Sequence, residues 1–328
     1  MKPALPTFAD VLEASEKLQG IVRKTPLLNS PEIDKAVGRK VYFKCEPLQH
    51  TGSFKLRGAY NRLCRLQGEQ RDKGVVAYSS GNHAQGVARS ARLLGMPAVI
   101  VMPSDAPKTK VAGVRRDAAE IVFYDRYTES REAIAAEISS RTGAVIVPSY
   151  DDFHIIAGQG SCGVEITEQW PEAEPPVALI CGVGGGGLIS GISLATHEVW
   201  PSLKILGAEP EGFDDCARSL QAGHRLGNDP EARSICDALL SPSTGVLTFD
   251  IIRDHLSDVC VVSDAEVGEA VRMAAQFLKL TVEPGGCVSL AALLGGKADD
   301  LPEGPVVAVL TGGNVDPGVF AKILTSAL

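Results

Sequence analysis

The sequence predicts an α/β protein made of mostly parallel sheets flanked by helices. From residue 74 onward, short apolar runs alternate with stretches of helical periodicity, the pattern of strands joined by crossover helices. A length of 328 residues allows two lobes, each with its own core. An apolar share of 45% against 22% charged residues places the chain among soluble globular proteins.

Taken in order, an amphipathic helix covers 7–18, and Thr25-Pro26-Leu27-Leu28 ends the opening segment. Residues 41–45 read as a strand, followed by Glu46-Pro47-Leu48 and a helix beginning near Ser53. Strands follow at 75–79, 98–102, 120–123 and 144–147, separated by helices at 84–94, 109–116 and 130–141. Pro148 to Asp152 reads as a crossing between lobes, leading into a long helix ending about Trp170. The second unit has strands at 177–181, 204–208, 259–262 and 306–310, with helices to Trp200, over 265–279 and after Gly285-Gly286. Residues 223–249, rich in Gly, Pro, Ser and Asp, are either a surface excursion or the rim of a site.

Composition excludes several classes. A formal charge of −8 and the absence of a basic stripe argue against nucleic acid as a partner. No apolar run approaches a membrane span, and Met1 to Asp10 has no signal-peptide character, so a cytoplasmic location is expected. Eight cysteines without a C-x-x-C pair read as reduced, buried thiols, and the six histidines show no metal-ligand spacing.

Ser53-Phe54-Lys55 opens a helix, with Ser53 as the expected N-cap and Leu56, Tyr60, Leu63 and Leu66 on one face. Lys55 falls in its first turn, where the helix dipole disfavours a cation and so favours the neutral amine that imine chemistry needs. The plainer reading is a solvated lysine on an amphipathic helix. Gly182-Val183-Gly184-Gly185-Gly186-Gly187 joins a strand to a helix, so successive backbone N–H groups can converge on one anion. No Gly-Lys-Ser/Thr closes it as a P-loop, while Glu209 some 20 residues on keeps a nicotinamide reading open. Ser79-Ser80-Gly81-Asn82-His83 and Leu310-Thr311-Gly312-Gly313-Asn314 lie at two more strand ends. At the first, free helix N–H groups suit a carboxylate and Asn82 can donate to a phenolate-like oxygen; at the second, Thr311 offers a neutral hydroxyl.

In this order the motifs resemble the fold-type-II pyridoxal-phosphate enzymes, the family of serine/threonine dehydratases and serine racemase. The resemblance spans almost the whole chain. It implies a tryptophan-synthase-β-like fold, with residues 1–52 and 153–328 forming a large cofactor-binding domain and 53–152 a small one. It implies Lys55 as Schiff-base lysine and base, Phe54 beside the ring and Asn82 on the ring hydroxyl. Gly184, Gly185, Gly186 and Gly187 would hold the phosphate and Thr311 the ring nitrogen. Ser79, Ser80, Gly81, Asn82 and His83 would form the substrate side. Ser80, helped by Arg131, would be a second catalytic group on the face opposite Lys55. Glu209, the Phe213 carbonyl and Asp215 resemble the divalent-cation loop of the racemase branch and suit Mg²⁺ or Ca²⁺. Cys236-Asp237-Ala238 departs from the family's Ala-Asp-Gly, which leaves substrate contacts there unassigned.

The expected activity is that of an ammonia-lyase converting L-serine or L-threonine to a 2-keto acid, in a homodimer. Serine racemisation and dehydration of 3-hydroxyaspartate or a bulkier 3-hydroxy amino acid are the alternatives. A nicotinamide-dependent oxidoreductase and a non-catalytic sensor are the readings from other classes.

Overall fold

The computed structural model describes residues 3–79 and 81–325. Among the described residues ten strands form two sheets: β1 (Leu27–Asn29), β2 (Val41–Cys45), β3 (Val75–Tyr78), β4 (Ala98–Pro103), β5 (Glu120–Tyr124), β6 (Val145–Ile146), β7 (Ala178–Gly182), β8 (Lys204–Pro210), β9 (Asp258–Val262) and β10 (Val306–Leu310). One sheet has the order β1-β2-β10-β7-β8-β9 and the other β5-β4-β3-β6. Every pairing is parallel except β1 with β2. Central strands β2, β7 and β10 are buried at every position, as helix-covered parallel strands must be.

The carboxyl ends of these strands place the sequence motifs. β3 runs into Ser79 and the helix Asn82–Leu94, β7 into the glycine run and the helix Gly187–Val199, and β10 into Thr311. Open α/β sheets bind ligands at those ends, because helix N-termini and loops gather there.

The helix Lys55–Leu63 is fixed by an unusual buried charge network. Arg57 is fully buried, and its guanidinium donates to Glu46 at 2.7 and 2.9 Å and to Glu165 at 2.7 and 2.9 Å. Glu165 also accepts from the buried Lys44 amine at 2.6 Å. The network locks this helix to strand β2 and to the helix Phe153–Gln169.

Several local expectations are corrected. Ser53 does not cap the helix: Phe54 holds the cap position, and Ser53 bridges Gly312, its hydroxyl without a partner among the described residues. The sheet contact with the β10 end outcompetes local capping. The helix expected over 265–279 is α-helical only to Met273; a π-turn over Ala274–Leu278 ends it at Lys279, whose φ is 59°. Residues 223–249 are a rim rather than an excursion, since Asp237 to Pro242 line the central cavity. The short elements β1, Pro31–Val37, Gly68–Lys73 and Pro317–Thr325 go beyond the sequence reading. None of the helices among the described residues is long and apolar enough to cross a membrane.

Candidate active site

Between the two sheets lies a cavity of about 130 Å³, roughly ten times what one water needs. Lys55, Phe54, Thr311 and all four loop glycines line it, as do Ser79, Gly81, Asn82 and His83. Residues 150 or more positions apart in sequence thus face one space. Ser80 lies outside the described residues.

Lys55 is the first residue of its helix, and its amine donates to the Ser149 carbonyl at 2.9 Å. Burial lowers its pKa to about 8, with the Glu283 carboxylate pulling weakly the other way. Among the described residues no carboxylate comes within ion-pair distance of it. The amine also lies 5.1 Å from the Phe54 ring centroid. Phe54 N–H donates to the Thr311 carbonyl at 3.2 Å, so the β10 end holds the start of the lysine helix.

The glycine run is shaped to receive an anion. Val183 N–H is used by the Ala208 carbonyl, whereas among the described residues the amides of Gly184, Gly185 and Gly186 find no protein acceptor. Gly186 has φ +88°, a conformation side chains avoid, and a Cβ there would also strike Ile252. The helix Gly187–Val199 then adds its positive end.

On the opposite wall, Asn82 begins the helix Asn82–Leu94. Its amide donates to the Glu283 carboxylate and accepts from Asn314 Nδ2 at 2.8 Å. His83 Nε2 donates to the Val147 carbonyl at 3.1 Å, and its buried Nδ1 has no partner among the described residues. Burial, reinforced by Lys55, lowers its pKa to about 3, so this imidazole stays neutral.

Sequence reasoning missed three cavity residues. Lys110 donates to Asp237 at 2.6 Å and lies 3.3 Å from Glu283; burial opposes its charge, but those carboxylates outweigh it and raise its pKa. Tyr150 lies against the glycine run, and Gln159 presents a buried amide nitrogen with no partner among the described residues. None stands in a distinctive motif; they meet only when the lobes pack. Arg131 joins them, its guanidinium 5.5 Å over the Tyr78 ring and its Nε donating to Glu132 at 2.8 Å.

The residues read as a cation loop are close together. Glu209, at the end of β8, accepts from the amides of Cys216 and Ala217 at 3.1 and 3.0 Å. Asp215 accepts from Asn228 Nδ2 at 2.6 Å and Thr244 N–H at 2.7 Å. Burial pushes both carboxyls up, and the charge of Asp215 adds to the shift at Glu209. Phe213 is buried beside them. Among the described residues no group of three or more His, Cys, Asp or Glu is gathered as a metal centre.

A family model described as pyridoxal-phosphate dependent enzyme matches residues 18–312. The chain belongs to the fold-type-II pyridoxal-phosphate enzymes. It is 46% identical to an L-threo-3-hydroxyaspartate ammonia-lyase of a Pseudomonas species, over 98% of this chain and 99% of that protein. It is 41% identical to a serine racemase of Schizosaccharomyces pombe, over 98% of each. Among solved structures, maize serine racemase superposes with a TM-score of 0.92 at 39% identity, covering 97% of both chains. The α/β fold expected from the sequence is the fold of this family.

The cavity fits a pyridoxal-phosphate enzyme on its own chemistry. Among the described residues it offers a desolvated amine at one end, free backbone amides at the other, and buried unpartnered nitrogens on His83 and Gln159. Orphaned buried polar atoms each cost about 1–3 kcal/mol unless a ligand meets them.

Proposed function

We propose that this chain is an ammonia-lyase acting on a 3-hydroxy amino acid with a second carboxylate, of the 3-hydroxyaspartate type. The observation that carries the choice is Arg131, a cation on the wall of the cavity that holds Lys55. L-Serine and L-threonine, favoured by the sequence alone, bring only the α-carboxylate, which leaves Arg131 with Glu132 as its carboxylate partner. The 46% identity to a hydroxyaspartate ammonia-lyase supports the same reading.

Bound pyridoxal phosphate supplies an electron sink that acidifies the Cα–H bond of an attached amino acid. In this reading the amides of Gly184–Gly187 hold its phosphate, Phe54 packs on its ring, Asn82 meets its hydroxyl and Thr311 meets its ring nitrogen. The Lys55 amine would take the Cα proton; burial brings its pKa down to about 8, so the neutral form that acts as base is minor at pH 7 and predominates above pH 8. The helix start at Gly81–His83 receives the α-carboxylate, and Arg131 the distal one. The β-hydroxyl leaves as water, and the released enamine hydrolyses to a 2-keto acid and ammonia. Glu209, Asp215 and the Phe213 carbonyl hold Mg²⁺ or Ca²⁺, which relieves the repulsion between two buried carboxylates. Initial rates on L-threo-3-hydroxyaspartate, L-serine and L-threonine test the choice. The expected order of kcat/KM puts hydroxyaspartate first by tenfold or more, and Arg131→Ala erases that lead; a wild-type preference for L-serine or L-threonine contradicts it.

Serine racemisation is the second reading, supported by the 41% identity to a serine racemase. It needs a proton donor opposite Lys55, the role implied for Ser80. Ser80→Ala would then abolish L-to-D conversion while L-substrate elimination persists, followed by chiral chromatography; a wild type that makes no D-serine excludes it.

A further inference from the structure

The crossing between lobes, Ser149-Tyr150-Asp151, touches both ends of the cavity at once. The Ser149 carbonyl accepts from the Lys55 amine at 2.9 Å. Tyr150, the next residue, lies against the glycine run: a Cβ built on Gly185 would fall into its ring, and one on Gly187 would come within 3.1 Å of its Cα and Cβ. The Tyr150 hydroxyl donates to the Ser243 carbonyl at 3.2 Å. That segment returns to the same loop, because Gly245 N–H and Thr248 Oγ1 both donate to the Gly185 carbonyl, at 3.2 and 2.7 Å. Asp151 completes the clasp, accepting from the amides of Val246 and Leu247 at 2.9 and 2.8 Å at the start of the helix Val246–His255.

The Gly185 peptide is therefore held from two sides. Its carbonyl is tied outward by Gly245 and Thr248, and its α-carbon is pressed by an aromatic ring. A glycine run has more backbone freedom to lose than any other sequence. Without such a brace its amides would have to be ordered by the anion itself, and affinity would fall by that ordering.

We propose that Tyr150 is the positioning residue that pre-forms the phosphate cradle and so gives this chain its preference for the phosphorylated cofactor over its phosphate-free form. Its ring sets the shape of the Gly185–Gly187 backbone, and its hydroxyl joins that shape to the 243–245 segment. The inference rests on the cofactor family and is independent of which amino acid is the substrate.

The test compares full-length wild type, Tyr150→Ala and Tyr150→Phe, each stripped of cofactor and titrated by absorbance with pyridoxal phosphate and, separately, with pyridoxal. Pyridoxal reaches Lys55 but has no phosphate for the loop. In Tyr150→Ala the dissociation constant for pyridoxal phosphate should rise at least tenfold while that for pyridoxal changes less than twofold. Inorganic phosphate should also become a weaker competitor by a similar factor. Tyr150→Phe, which keeps the ring, should show a two- to fivefold loss confined to the phosphorylated form, and it decides the matter alone if the alanine variant does not fold. Asp151→Asn, which loosens the helix cap without touching the ring, should lower the melting temperature and leave the ratio of the two affinities unchanged. Equal losses for both ligands in the Tyr150 variants, or no loss for pyridoxal phosphate, would overturn the proposal.

Discussion

Two cations lie two residues apart on one helix and meet opposite treatment. Arg57 is buried with four hydrogen bonds to Glu46 and Glu165, and those carboxylates outweigh burial and raise its pKa. Among the described residues Lys55 has one hydrogen-bond partner, the Ser149 carbonyl, and burial lowers its pKa to about 8. The contrast separates charge used for architecture from charge kept available. A fully paired guanidinium cannot change state, so it fixes the helix; an unpaired amine in the same low-dielectric setting is ready to lose its proton and form a bond.

The largest expected effect comes from the unpaired partner. Lys55→Ala should reduce turnover by roughly 10³-fold or more, since it removes both anchor and base. It should leave folding intact and abolish the borohydride-sensitive yellow colour of the purified protein; a coloured, active variant would refute the assignment. Arg57→Ala should act on stability instead. It strands two buried carboxylates, a loss of about 3–5 kcal/mol read from urea denaturation. A change below about 1 kcal/mol would show that the network is not what holds the lysine helix.

A subtler effect follows from linkage. The folded-state pKa of Lys55 lies below its unfolded value, so the folded chain binds fewer protons between about pH 8 and 10.5 and gains stability as pH rises across that window. Below it the partly desolvated ammonium disfavours the folded state. Cofactor-free Lys55→Met should therefore be more stable than wild type at pH 7, with the difference shrinking toward pH 10.5. A pH-independent difference would contradict this.

The Glu209–Asp215 pair offers a third arrangement, two like charges with neither partner saturating the other. Mg²⁺ or Ca²⁺ should raise the melting temperature and EDTA should lower it, and Glu209→Gln should blunt both responses. Indifference to chelator and metal alike would remove the cation from this loop. The smallest effect is at the stacked pair His197 and His255, whose Nδ1 atoms are 2.8 Å apart. Burial, then His197, lowers the His255 pKa, so stability present above about pH 6.5 should be lost as pH falls below it. His255→Gln should flatten that acid limb in thermal scans.

The features legible in the sequence are those written locally. Strand and helix periodicity marks every sheet strand except β1, and the Gly182–Gly187 run marks a loop with free amides at a helix start, because each depends on residues adjacent in the chain. Ser53 misled, since a serine before a helix looks like a cap whether or not a distant strand end takes its place. Lys110, Tyr150 and Gln159 carried no local signal. Their relevance comes from partners more than 30 residues away, such as Asp237, Ser243 and Gly58. Arg57 likewise carries no local signal; its role depends on Glu46 and Glu165, 11 and 108 residues away.

The state of the Lys55 amine is the most direct measurement. The rate at which cofactor-free protein captures pyridoxal phosphate, followed by absorbance from pH 6 to 11, reports the fraction of neutral amine. The expected profile rises through an apparent pKa near 8 and is lost in Lys55→Ala. A profile that keeps rising toward the ordinary lysine value near 10.5 would mean that Lys55 is solvated and ordinary, and that the lack of an ion-pair partner among the described residues has no chemical consequence.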